Sequence, residues 1–264
     1  MADLSAGDAG TVQIGSLTVN RIGLGTNRIS ENDESRSVLK RAIELGINFI
    51  DTAARYGKSE QVIGETLSPY PSGVITSTKG GWSDNNDPAR LQESIDNSLK
   101  LLKLDQLPLW HLHRVAHSVP LDDTMHFLKT QLDSGKILHL GLSEVSVEQI
   151  EAARKIVPIS SVQNHYNIAD RHYDDVVDYC TKENIAFIPY YPLGNGNVVG
   201  YARVQVTANK YGKTSYQIAL AWLLQRSPII LPIPGTLSEE HLESNIAASQ
   251  IEFSEEDLKR LNQL

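Results

Sequence analysis

The chain has 264 residues, 41% hydrophobic and 21% charged, an ordinary globular composition with enough apolar residues for a sizeable core. Its net charge of −8 speaks against nucleic acid or an anionic membrane surface as a partner, and no apolar run is long enough to span a bilayer. One cysteine, Cys180, excludes an internal disulfide, and the N-terminal residues lack a basic and apolar leader, so a cytoplasmic location is expected.

Strand-like and helix-like runs alternate along the chain. Residues 11–14 and 17–19 flank Gly15-Ser16 and read as a tight β-hairpin. Strands are then expected near 22–24, 48–50, 74–78, 109–112, 137–142, 161–163, 186–190 and 229–233. Helical patterns lie between them, at 35–45 before Gly46, at 89–102 behind the start signal Asp87-Pro88, and at 150–156 behind the capping-box spacing Ser146 to Gln149. Further helical patterns cover 174–183, 215–224 and 239–248, and Ser254 caps a short one before the C-terminus. Eight strands alternating with helical stretches predict an α/β chain, a (β/α)8 barrel of the TIM type with an N-terminal hairpin, as a single domain over residues 1–264. The alternative is a doubly wound open sheet. Its Gly-x-Gly-x-x-Gly turn is incomplete here, because Gly23 and Gly25 are followed by Arg28.

A barrel carries its active site at the C-terminal ends of its strands. Asp51, Lys79, His113, Ser143, Gln163 and Tyr190 all fall at or just after such ends, and Tyr56 lies in the loop after Asp51. Singly, each has a plain structural reading: Asp51 can cap a turn, Lys79 can be a surface lysine, and Tyr56 a half-buried loop aromatic. Together they form a coherent proton-donating set. Tyr56 is the candidate acid, Lys79 the cation expected to lower its pKa, Asp51 the counter-charge, and His113 the hydrogen-bond donor that orients a substrate oxygen. No strong nucleophile and no zinc-type spacing accompanies them, so no metal is expected and carbonyl reduction with a cofactor-borne hydride fits best. Of His111 and His113, one is expected at the barrel mouth and the other toward the helices. Trp82 and Trp110 are candidate pocket walls for an aromatic or bulky substrate.

These residues resemble the aldo-keto reductase family. Gly46-Ile-Asn-Phe-Ile-Asp51-Thr-Ala-Ala-Arg-Tyr56 is similar to that family's first signature, and Ser59-Glu60-Gln-Val-Ile63-Gly64 continues it. Lys79, Leu104-Asp-Gln-Leu-Pro-Leu-Trp-His-Leu-His113, Gly135 to Ser143, Val162 to Asn167, Tyr190 to Gly194 and Leu231 to Thr236 match later motifs in order. Pro108 and Trp110 depart from the usual Asp and Tyr. The resemblance implies a catalytic tetrad of Tyr56, Lys79, Asp51 and His113 and an NADPH site. Ser143 and Gln163 would hold the carboxamide and Tyr190 would stack on the nicotinamide. Thr26, Pro192, Leu193 and Gly194 would line the nucleotide, and Pro234, Gly235, Thr236, Ser238, His241 and Asn245 would hold its adenosine phosphates. The implied reaction is the reversible reduction of an aldehyde or ketone, a small-molecule carbonyl substrate, by a monomer. Pyridoxal is one candidate, since residues 11–28 and 159–170 look like the bacterial pyridoxal reductase-like branch. Gly235 and His241 stand where the family carries bases for the 2′-phosphate, which leaves NADH open, and Glu144 replaces an asparagine beside the carboxamide. The short loop after Gly194 and the short C-terminal tail imply an open cleft. A regulatory subunit of the same fold is the alternative from another class, and a metal-dependent barrel hydrolase a third.

Overall fold

The computed structural model describes residues 4–82 and 86–263. The terminal residues of the expected barrel unit, 1–3 and 264, lie outside the described residues. The chain opens with the antiparallel hairpin β1 (Thr11–Ile14) and β2 (Leu17–Asn20), in which Val12 pairs with Val19 and Ile14 with Leu17. Gly15 turns it with φ +60°, and a Cβ there would lie 2.2 Å from the His139 ring, so the position needs glycine for both backbone and space. His139 Nε2 lies 3.1 Å from the Ser16 backbone N–H that donates to it, which ties the hairpin to the strand end beneath.

Seven parallel strands follow in chain order: β3 (Leu24–Gly25), β4 (Phe49–Asp51), β5 (Ile75–Gly80), β6 (Leu107–Leu112), β7 (Ile137–Ser143), β8 (Ser161–Gln163) and β9 (Ala186–Phe187). Each neighbours the next, and crossover helices separate them, as parallel pairing demands. The expected eighth strand at 229–233 forms only isolated bridges, one to Phe187 and one, through Gly235, to Gly25. Its backbone still closes the ring: Leu231 N–H donates to Phe187 O at 2.9 Å, and Gly23 and Gly25 donate to Pro232 O and Pro234 O at 3.0 and 3.3 Å. Pro232 and Pro234 have no N–H to return, so the ladder on that edge is half-made and the segment is not a regular strand. Pro189 shortens the seventh barrel strand in the same way. The expected 186–190 becomes β9 plus a bridge from His165 to Tyr190.

The helices are α1 (Asp33–Glu44), α2 (Ser59–Leu67), α3 (Pro88–Leu102), α4 (Leu121–Asp133), α5 (Val147–Arg154), α6 (Asp174–Glu183), α7 (Ala202–Tyr211), α8 (Ser215–Arg226), α9 (Glu239–Ile246) and α10 (Glu255–Leu261). Asp87 caps α3 by accepting from Ala89 N, and Ser146 and Gln149 form a reciprocal capping box at α5. The residues that wrap around the strands are fully buried on their inner stripes, such as Val38, Leu39 and Ala42 of α1. Helix α8 is buried nearly all round from Ile218 to Leu223. The result is a (β/α)8 barrel with its hairpin at the N-terminal end of the strands. No described helix is long and apolar enough to cross a membrane.

Candidate active site

The C-terminal strand ends converge on a cavity of about 660 Å³. Asp51 ends β4 and Lys79 sits near the end of β5, each 1% exposed. The Lys79 ammonium lies 2.6 Å from Asp51 Oδ2 and 2.7 Å from the Thr52 carbonyl, donating to both. Gln163, at the end of β8, donates its amide N–H to Asp51 Oδ1 at 3.0 Å. A carboxylate only accepts, so this contact fixes which way the Gln163 amide points and leaves its carbonyl oxygen available. Lys79 Nζ is 5.3 Å from the centre of the Tyr56 ring, and the rings of Tyr56 and His113 are 6.4 Å apart, edge to face. The expected tetrad is therefore brought together from three strand ends and one loop.

Around Asp51 a hydroxyl network holds the backbone. Thr26 Oγ1 donates to Asp51 O at 2.8 Å, and Ser59 Oγ lies 2.8 Å from Thr26 Oγ1 and 2.9 Å from Thr52 Oγ1. Thr26 thus lines the cavity while bracing the strand end that carries the carboxylate.

The electrostatics differ from expectation at Tyr56. Burial, reinforced by the Asp51 charge, raises the phenol well above its ordinary value, with Arg55 and Arg114 opposing. The lowering expected from Lys79 does not prevail, because that ammonium is held by Asp51 at 2.6 Å and the two together present little net charge. Burial also pulls Lys79 down, and the Asp51 charge pulls it back. His113 is lowered to about 2, first by burial and then by the positive charges of Lys79, Arg114 and Arg55. It is a neutral imidazole at physiological pH.

His111 corrects a second expectation. Residues two apart on a strand share a face, so His111 points into the barrel below His113 and not toward the helices. It is fully buried between Ser77 Oγ at 3.1 Å and Ser161 Oγ at 2.9 Å. Gly141 makes room for it, since a Cβ there would sit 2.3 Å from the imidazole. Trp110, on the opposite face of β6, is buried beside Gly80 and Ser94 and takes no part in the cavity, whereas Trp82 lines it, 37% exposed.

Ser143, Gln163, Tyr190, Pro192, Leu193, Pro234, Gly235, Thr236, His241 and Asn245 all line the cavity. Three named residues do not. Lys79 lies beneath the floor, and Gly194 sits behind the wall in a turn with φ +55°. Ser238 is occupied as the N-cap of α9, accepting from His241 N–H at 3.3 Å. Unanticipated lining includes Arg28, Arg55, Arg114, Tyr191, Asn195 and Tyr216. Arg28 fills the third-glycine position of the broken Gly-x-Gly-x-x-Gly run. Arg55 and Arg114 flank Tyr56 and His113 in the chain, the signal that would have found them. Glu144, with φ +57°, is not among the residues that line the cavity, and its charge acts on the neighbouring Tyr190. Its Oε1 accepts from His165 N–H at 2.7 Å, so the acidic replacement supports a neighbouring backbone. Among the described residues no three His, Cys, Asp or Glu side chains form a metal-binding group.

The fold and this floor of paired charges beneath a phenol define a barrel oxidoreductase. Residues 21–264 match the Aldo/keto reductase family, and the chain belongs to it. It is 39% identical to an uncharacterized oxidoreductase of Schizosaccharomyces pombe, over 98% of this chain and 91% of that one. It is 36% identical to the pyridoxine 4-dehydrogenase of Escherichia coli, over 96% of this chain and 97% of that one. Among solved structures, an aldo-keto reductase from Klebsiella pneumoniae in complex with NADPH superposes with a TM-score of 0.87 at 27% identity, covering 96% of this chain and 94% of that one.

Proposed function

We propose that this protein is an NADPH-dependent reductase of aldehydes or ketones in which Tyr56 is the proton donor. The observation that carries the reading is the buried Lys79–Asp51 pair at 2.6 Å beneath Tyr56, with neutral His113 beside it. A neutral imidazole can donate a hydrogen bond to a carbonyl oxygen and hold it beside the phenol. Because burial keeps Tyr56 protonated, it gives up its proton only to a strongly basic oxygen, the alkoxide that a carbonyl becomes on accepting hydride. The Lys79–Asp51 pair keeps a polarised donor under the phenol without leaving a bare charge in the barrel.

The polar groups of the cavity fit a nicotinamide cofactor. Ser143 Oγ accepts from Arg114 at 3.1 Å, which leaves its O–H to donate, and the Gln163 carbonyl oxygen is left to accept. One donor and one acceptor are what a carboxamide requires. Tyr190 offers its ring beside them, and Thr236, His241 and Asn245 supply polar groups at the far end. Bound NADPH supplies the hydride. Arg28, on the loop whose Gly25 bridges Gly235, compensates for the bases absent at Gly235 and His241 and favours NADPH over NADH. Pyridoxal is the first substrate to try, given the 36% identity to a pyridoxine 4-dehydrogenase. The regulatory-subunit reading has less support, since all four tetrad residues are retained.

The test is NADPH oxidation followed at the nicotinamide absorbance with a panel of carbonyls that includes pyridoxal. Turnover that is lost in Tyr56→Phe while NADPH still binds is the expected result. Tight NADPH binding with no turnover of any carbonyl would instead favour the regulatory reading.

A further inference from the structure

Three loops place two arginines on one exposed indole. Arg55 Cζ lies 3.5 Å from the centre of the Trp82 ring and Arg114 Cζ lies 4.7 Å from it. The same ring stands 4.7 Å from that of His113, edge to face. All four side chains line the cavity. Several other arginines of this acidic protein are matched with acids, such as Arg36 with Glu65, Arg41 with Glu243, Arg154 with Glu183 and Arg226 with Asp178, while Arg21 is spent on the carbonyls of Leu224, Ser227 and Ile230. Arg55 and Arg114 have no carboxylate within ion-pair distance among the described residues. The bonds of Arg114 go to two neutral oxygens, His113 O at 2.5 Å and Ser143 Oγ at 3.1 Å.

Two guanidiniums on one ring repel each other, and stacking on indole offsets only part of that repulsion. The Asp51 carboxylate in the cavity lining gives no relief, because Lys79 already neutralises it. Among the described residues the wall next to His113 is therefore positive, in a protein whose net charge is −8. Guanidinium forks suit carboxylate and phosphate oxygens, and a concave positive wall concentrates anions.

We propose that the carbonyl substrate carries an anionic group, a carboxylate or a phosphate ester, which Arg55 and Arg114 receive beside Trp82 while its carbonyl faces His113 and Tyr56. This rests on the reductase reading and narrows its substrate class. Arg55 and Arg114 set the distance of the anion from the reacting carbonyl, and Trp82 gives the intervening carbon skeleton an aromatic wall.

The experiment is calorimetric titration of the protein saturated with NADP⁺, whose own phosphates then cannot compete, with benzoate, phenyl phosphate and neutral benzamide. The proposal expects at least one anion to bind tenfold or more tightly than benzamide, and this preference to fall about tenfold in Arg55→Gln and to disappear in Arg55→Glu. Benzoate as the tighter ligand would identify a carboxylate substrate, and phenyl phosphate a phosphate ester. Equal binding of benzamide and both anions overturns the proposal, as does a preference that survives both substitutions in protein that still binds NADP⁺. Failure of NADP⁺ to bind would count against the reductase reading alone, and the same titration of the nucleotide-free protein would still decide the anion site.

Discussion

Lys79 and Asp51 meet at 2.6 Å with each side chain almost completely removed from water, so the ammonium 5.3 Å from the Tyr56 ring centre is already half of a neutral pair. Removing Lys79 would leave a buried carboxylate with only the Gln163 amide as a donor. Breaking such a pair by deleting one partner costs about 3–5 kcal/mol. Lys79→Met is therefore expected to lower stability by that order in urea unfolding. It should also lower turnover and displace the pH dependence of the rate, since the neutral pair under the phenol becomes an uncompensated negative charge. A pH–rate profile that keeps its midpoints would make Lys79 a structural residue only.

Tyr56→Phe removes the proposed proton donor without creating a cavity or a charge. Acid catalysis of this kind contributes about 10²–10⁴ in rate. Turnover should fall by that factor while tryptophan quenching by NADPH is retained, because Tyr56 neither touches Ser143 nor braces Gln163. Wild-type turnover in this variant would remove Tyr56 from the mechanism.

The barrel, and the meeting of Asp51, Tyr56, Lys79 and His113 at one end of it, were legible for a physical reason. Strand-end residues are fixed by the alternation of short apolar runs and capped helices, and both Asp87-Pro88 and the Ser146–Gln149 box lie where helices begin. The parts not legible depend on contacts between distant segments. That Pro232 and Pro234 would still close the ring by accepting from Gly23 and Gly25 cannot be read from one strand alone. Nor can the sign of the Tyr56 shift, which depends on how tightly Asp51 holds Lys79 in space. Trp110 and Trp82 look alike in sequence, and only the strand register, with His111 facing inward, sends Trp110 to the helix side. The clustering of Arg55 and Arg114 on Trp82 joins three loops that no local pattern connects.

Arg28 provides a prediction about the cofactor. It lines the cavity on the loop next to Gly235, a residue with no side chain to offer a charge. A charge-assisted contact to a phosphate contributes about 1.5–3 kcal/mol. Arg28→Ala should therefore weaken NADPH at least tenfold and leave NADH nearly as it was, measured as separate dissociation constants by fluorescence quenching. Equal losses for the two nucleotides would place Arg28 away from the 2′-phosphate.

The two inward histidines make the fold sensitive to acid. Burial holds His111 well below the ordinary imidazole value, and His113 is lowered to about 2. Above about pH 6.5 both the folded and the unfolded chain carry these rings neutral, and pH has no leverage through them. Below it the unfolded chain binds protons that the folded chain refuses, so stability falls as pH falls, by up to about 1.4 kcal/mol per pH unit for each ring. The loss contributed by His113 continues down to about pH 2, where the folded ring finally protonates. Urea unfolding at a series of pH values from about 7.5 to about 5.5 should show this slope, over and above that of the carboxylates. In His113→Gln the slope should lessen by about one proton's worth, because that position no longer excludes a proton. A slope identical to wild type in that variant would mean that His113 is protonated in the folded protein, and the neutral donor assigned to it beside Tyr56 would have to be abandoned.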